Sequence, residues 1–396
     1  MARTALTLAS FLAYFVMSSL LAPIGLQLAP LAQEFGLELA AVSAVFGWLT
    51  SGVLLGALLA VPLYERVPLR PLVAATYALL AAALWLLPGL ADSHALRWGL
   101  GLVGALSGIG LAGAALLIAQ SYRAAHRTSM LVVTDASFSS AGYIIAPLAG
   151  WMLASGGGAR DIYLVIAGLA LLIALLTALT AVPRVATAPT PDTVARSART
   201  GTTLVFWLCA LALLGYTLGQ QSLLIWLPTL LTTAGTVDSA EAGVLIGRYW
   251  TGMFVAQLLV AVWLLRSGTV LILWLAAWGT LLGATPLVLG VPQSAFGAAM
   301  LIWGLANFAL LKVVLGFVSD QPGLDLTRVL PRLLFAATSG TALAPVLSGF
   351  VAAQFGPRAT LGLALGSLSL TAVALTLAIL GRRVQGKLSI GTEEPS

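Results

Sequence analysis

Charge is what this sequence has least of. Only 8% of its 396 residues are Asp, Glu, Lys or Arg, against roughly a quarter in an average soluble domain. With 60% hydrophobic residues and a mean hydropathy of +1.03, too little polar surface remains to coat a water-soluble globule of this size. Cysteine is almost absent too. The single Cys209 excludes an internal disulfide framework and any Cys-based metal cluster. His94 and His126 fall in loops, and no paired acid–base constellation, metal-ligand set or phosphate loop occurs. The sequence therefore predicts neither an enzyme nor a metal or cofactor protein. The net charge of +6 does not predict a nucleic-acid partner, because the basic residues stand singly or in pairs between apolar stretches. They read as a topology signal.

What is abundant is long apolar runs. Twelve stretches of about 20 residues or more, the length that spans a bilayer, lie between residues 5 and 381. The first, 5–32, is too long for a cleaved signal and has little positive charge before it. The fifth covers 129–153 and the tenth 294–318. Connections are short except for 183–202, which is polar and rich in Pro, Thr and Ala. The expected organisation is an all-α integral membrane protein: six helices in 1–182, a linker at 183–202, and six helices with a short tail in 203–396. With the N-terminus inside, 14 Lys and Arg fall in cytoplasmic segments and three, Arg97, Arg160 and Arg358, in external loops. That asymmetry predicts both termini, and the linker, in the cytoplasm.

The two sets of helices read as versions of one design. Pro30 has a counterpart in Pro228, and Gly142…Ala146-Pro147 in Gly340…Ala344-Pro345, at an offset of 198 residues. Gly47 and Gly52 match Gly247 and Gly252 at an offset of 200. The prolines are expected to kink their helices. The pairs Gly52/Gly56, Gly104/Gly108 and Gly362/Gly366 predict close helix contacts.

These features resemble the major facilitator superfamily over nearly the whole chain. The loop Tyr64-Glu65-Arg66-Val67-Pro68-Leu69-Arg70 is similar to its acid–basic signature, with Pro68 where Gly is usual. That loop, the run Thr134-Asp135…Phe138-Ser139…Gly142, and Leu218-Gly219-Gln220 followed by Ile225-Trp226-Leu227-Pro228 resemble the TsgA-like branch, relatives of fucose-type permeases. Helix 5, with Gly142…Ala146-Pro147…Gly150-Trp151, also resembles the antiporter signature of drug exporters, with two Gly positions replaced. Plain kinking and packing are the preferred account of it, since helix 11 carries a similar pattern. The resemblance implies two pseudo-symmetric six-helix bundles, a bacterial inner membrane, a monomer, and transport of a small molecule by alternating access, coupled either to protons or to exchange. It names no cargo. The sequence departs from the branch at Arg248 and Lys312, where a neutral polar and an apolar residue are expected.

Three charges fall inside spans: Asp135, Arg248 and Lys312. Each would cost about 2.5–3.5 kcal/mol at a lipid-facing helix centre. Arg248 lies about 9 Å below the outer end of its helix. It is the first candidate for contact with cargo, the alternative being snorkelling to headgroups. Asp135 and Lys312 lie about two turns from the cytoplasmic ends of helices 5 and 10 and are expected to form a gate or coupling pair. The alternatives are favourable helix-end charges. Tyr216 and Gln220 share one face of helix 7, Trp303 and Asn307 share a face of helix 10, and Gln257 lies near the middle of helix 8. These are expected to line the site, against the alternative of interhelical hydrogen bonding. Gln221 and Trp226 are weaker candidates. Because Arg pairs well with oxyanions, a small organic anion is the favoured cargo. A neutral polar solute such as a sugar, or efflux of lipophilic compounds, are the alternatives. A channel is disfavoured, since no charged ring or filter-like loop is visible.

Overall fold

A chain in hydrocarbon must satisfy every backbone polar group internally, and helices do this within one segment. The computed structural model describes backbone at 2–122, 124–180, 204–263, 269–319 and 326–390, and side chains over the same residues apart from 2–3, 119, 124–133, 135, 261–263, 326–328 and 383–390. The linker 183–202 lies outside the described residues. Those described form helices, turns and no strand. The first half comprises α1 (Ala2–Leu21), α2 (Ile24–Phe35), α3 (Leu39–Arg66), α4 (Leu69–Leu86), α5 (Ser93–Ser121), α6 (Ala124–Ala154) and α7 (Ile162–Leu179). The second comprises α8 (Leu204–Thr233), α9 (Ser239–Trp263), α10 (Thr269–Leu289), α11 (Phe296–Ala306), α12 (Leu310–Ser319), α13 (Leu326–Phe355) and α14 (Ala359–Ile390).

Eleven helices among the described residues are long and apolar enough to cross a membrane. The 31-residue α6 stands in the fifth position, completing twelve spans with α1–α2 and α11–α12 each forming one. Two expected spans are thus interrupted. The first breaks at Ala22-Pro23, and Pro30 lies inside α2. Pro147, Pro228 and Pro345 likewise sit inside unbroken helices. Proline's missing N–H and ring clash explain a break at Pro23. The tenth span breaks at 307–309, where there is no proline at all.

The repeat is visible in atomic contacts. A Cβ on Gly52 would overlap the Gly101 carbonyl and crowd Ala105 N. One on Gly252 would do the same to the Leu301 carbonyl and Leu305 N. Gly104 lies on the Leu49 carbonyl as Gly304 lies on the Tyr249 carbonyl. Spans 2 and 4 therefore share the backbone-to-backbone seam of spans 8 and 10, made possible by small residues. The expected seam at Gly362/Gly366 does not form: both face open space. Span 12 instead meets α8 through Ala364 and Leu368, against Gly219.

Between the halves, Gly25 lies on the Leu224 and Ile225 carbonyls and Thr229 donates to Gly25 O at 2.8 Å. Gly150 and Gly243 meet across α6 and α9, and Gly247 meets Pro147. Ser43 donates to Pro345 O at 2.7 Å and Thr50 to Ala342 O at 3.0 Å. All of these lie in the parts of the helices nearest the loops at 36–38, 155–161, 234–238 and 356–358. Farther from those loops, Ser139 of α6 donates to Gln257 of α9 at 3.2 Å. The halves are closed at that face.

At the opposite ends, Arg70 of the acid–basic loop donates from Nε to Thr177 O at 3.2 Å and from a terminal nitrogen to Ala178 O. It covers the free carbonyls at the end of α7, where a cation is also favoured by the helix dipole.

Candidate functional site

The break at the tenth span positions a buried polar group. Phe308 and Ala309 hold φ of +46° and +52°, a left-handed conformation costing about 1–2 kcal/mol per L-residue. Asn307, immediately before them, is fully buried. Its side chain ties three helices together. Tyr216 of α8 donates to Asn307 Oδ1 at 2.8 Å, and Asn307 Nδ2 donates to Tyr249 Oη of α9 at 2.9 Å. Gln220, one turn along α8 from Tyr216, also donates from Nε2 to Tyr249 Oη. The Trp303 ring lies tilted on the Tyr249 ring, with centroids 4.3 Å apart. Tyr249 is ten residues into α9, about 15 Å from its end and so near mid-membrane.

Four expected site residues, Tyr216, Gln220, Trp303 and Asn307, therefore come together around Tyr249. Tyr249 was not among the expected residues, because the neighbouring charge of Arg248 is the stronger signal in the sequence. One available signal was that Tyr249 lies one turn from Met253 and 200 residues from the apolar Leu49, a repeat position where the halves differ.

The other expected residues lie elsewhere. Gln257 accepts from Ser139 Oγ at 3.2 Å and belongs to the seam between the halves. Arg248 is exposed, 100° around α9 from Tyr249 at the helical repeat, on a stripe with the exposed Val244, Val255, Leu258 and Leu259. Its guanidinium lies over Gly297 near the start of α11. Lys312 is exposed on the first turn of α12. The side chain of Asp135 lies outside the described residues. Trp226 and Gln221 are buried in α8.

A second aromatic path links the cluster to the first half. Trp250 contacts the Tyr249 ring at 5.4 Å and the Phe138 ring of α6 at 5.7 Å. Its indole occupies the space a side chain at Gly142 would need. The indole N–H groups of Trp250 and Trp303 are buried and have no acceptor among the described residues. The cluster is uncharged, rich in donors and mutually hydrogen-bonded. Such a network can exchange internal bonds for bonds to a polar solute. Among the described residues, no group of three or more His, Cys, Asp or Glu is placed to hold a metal ion.

Two repeated halves closed at one face, with a polar network buried near mid-membrane in the second, define a transporter of small molecules rather than an enzyme. The chain belongs to the Major Facilitator Superfamily, whose family model matches residues 6–328. It is a transporter of the TsgA type: it is 28% identical to Protein TsgA of Escherichia coli O17:K52:H18 and to that of Shigella flexneri, over 91% of this chain and 91% of each relative. Among solved structures it is similar to a point mutant of the nucleoside transporter NupG, with TM-score 0.75, 14% identity and coverage of 96% of this chain and 100% of that one. It is also similar to a D-xylose–proton symporter, with TM-score 0.73, 15% identity and coverage of 95% and 97%.

Proposed function

We propose that the protein is a secondary carrier for a small neutral polar solute, bound between the halves near mid-membrane by the Tyr216, Gln220, Tyr249, Trp303 and Asn307 group. The observation that carries this reading is the uncharged phenol–amide network at the break in the tenth span. The expectation of an anionic cargo rested on Arg248, and the exposed apolar stripe around that residue supports a role at the lipid boundary instead. The activities of the two fold neighbours, nucleoside transport and xylose–proton symport, agree with a neutral solute.

The domain division at 1–182 and 203–396 and the cytoplasmic placement of both termini belong to the same proposal. The Lys and Arg distribution supports them. On that orientation the closed face is external. Asp135 and Lys312 then stand at the cytoplasmic end as the gate or coupling pair. An Asp135→Lys/Lys312→Asp double swap recovering uptake lost in each single variant supports a pair; additive losses remove it.

The function is tested by thermal shift of the purified protein with D-xylose, uridine, lactate and tetraphenylphosphonium. A ligand that binds the folded state raises its apparent stability. Stabilisation by xylose or uridine supports the reading. Stabilisation by lactate or the lipophilic cation alone overturns it.

A further inference from the structure

Met253 sits where an oxygen would be the better occupant. Tyr249 Oη accepts two hydrogen bonds, from Gln220 and Asn307. Its own proton points to Met253 Sδ at 3.7 Å. The same sulfur takes a second donor, Gln220 Nε2, at 3.9 Å. A thioether is a weak acceptor, and in a low-dielectric interior a poorly satisfied donor is costly. Both donors are buried, with Tyr249 at 0% and Gln220 at 5% exposure, while Met253 is only partly buried. The methionine is the most accessible member of that contact. Two further donors, the indole N–H groups of Trp303 and Trp250, flank Tyr249 without acceptors among the described residues.

We infer that Met253 is a movable placeholder over an oxygen-acceptor subsite. A carbonyl, ether or hydroxyl oxygen of the cargo displaces the thioether and accepts from Tyr249 Oη and Gln220 Nε2. Methionine suits the task because three rotatable bonds let it swing aside without moving the backbone. The inferred cargo carries an acceptor oxygen on a neutral body, as ring-oxygen sugars and nucleobase carbonyls do. No covalent step is involved. The inference rests on the proposed site but concerns which cargo atom enters it, and its first test needs no cargo.

That test compares Met253→Gln with Met253→Leu in the full-length purified protein. Glutamine keeps the length of methionine and offers a carbonyl oxygen, whereas leucine keeps apolar volume and offers none. Met253→Gln is expected to melt about 2 °C or more above Met253→Leu, and adding Tyr249→Phe to both is expected to erase the difference. A Met253→Gln protein that melts with or below Met253→Leu overturns the inference, because the donors are then already satisfied. So does a difference that survives Tyr249→Phe. In the second test, D-xylose and uridine are titrated into each variant. The one that stabilises the unsubstituted protein is expected to bind Met253→Gln at least tenfold more weakly, because the subsite is filled from within. Undiminished binding by Met253→Gln overturns the inference. If neither solute stabilises the unsubstituted protein, the proposed function fails separately, and the melting comparison still decides whether the subsite exists.

Discussion

The two halves share a scaffold and differ in what they bury at its centre. The seam between spans 2 and 4 and that between spans 8 and 10 use the same glycines against the same carbonyls, 200 residues apart. Where the second half places Tyr249, Trp303 and Asn307, the first has Leu49, Val103 and Ser107. Among the described residues, Ser107 bonds within its own helix, to Val103 O at 2.7 Å, and α5 runs through that level unbroken.

The first half concentrates its polar groups elsewhere, against the loop at 155–161. Tyr163 Oη donates to Gln27 Oε1 at 3.0 Å, and Gln27 Nε2 to Ala159 O at 2.8 Å. Arg160 pairs with Glu34 and donates to Leu87 O at 3.1 Å. Its repeat partner Arg358 is exposed. One half thus fastens an end while the other holds a network at mid-membrane. Small residues at fixed spacing determine the scaffold, and the polar residues are free to diverge on it.

The severest challenge to this comparison is a methyl group in each seam. Gly104→Ala and Gly304→Ala are each expected to lower stability by about 1–3 kcal/mol through overpacking, read as loss of folded protein on heating. Similar losses would support equivalent seams, and tolerance at one position alone would break the equivalence. Next in size, Asn307→Ala strands the buried hydroxyl of Tyr216 and removes one of the two donors to Tyr249. Tyr249 keeps its bonds to Gln220 and Met253, so the expected cost is that of one stranded hydroxyl, about 1–3 kcal/mol, together with most of the uptake. Ser107→Ala, its repeat partner, is expected to change uptake little. Comparable losses from both would mean that the first half shares the site.

A smaller effect with opposite signs is expected from glycine. Ala309→Gly relieves a left-handed residue and is expected to stabilise the protein by up to about 1 kcal/mol. Ala114→Gly, inside unbroken α5, is expected to destabilise it by about 1 kcal/mol. Thermal melts of both variants read the sign directly, and destabilisation by Ala309→Gly would mean that the break carries no strain.

The mildest prediction concerns an exposed cap. Asp92 accepts from Ala95 N at 3.3 Å at the start of α5. Its carboxyl is held below the ordinary aspartate value, chiefly by the backbone amide of His94. A depressed folded-state value means a contribution present above the unfolded value and lost as pH falls through the folded one. Asp92→Ala is therefore expected to speed amide exchange slightly over the first turn of α5 near pH 7, with the difference vanishing in acid. Equal exchange near neutrality would remove the cap.

The sequence by itself determined the class, the span count and the seam at Gly52/Gly56 and Gly104/Gly108, though not the one expected at Gly362/Gly366. Hydrocarbon tolerates little besides helices, so length and hydropathy suffice to find spans, and close backbone approach demands small residues that can be read off at four-residue spacing. It also marked Tyr216, Gln220, Trp303 and Asn307, because polar groups at mid-span are rare. Tertiary structure alone decided which of these meet, that Tyr249 and Met253 join them, and that Arg248 turns away. A single residue's step rotates a side chain by 100°, and neighbouring helices set that rotation. It decided the break at Asn307 as well. Phe308 and Ala309 have no local reason to leave the right-handed helix, and only partners on two other helices can hold them out of it.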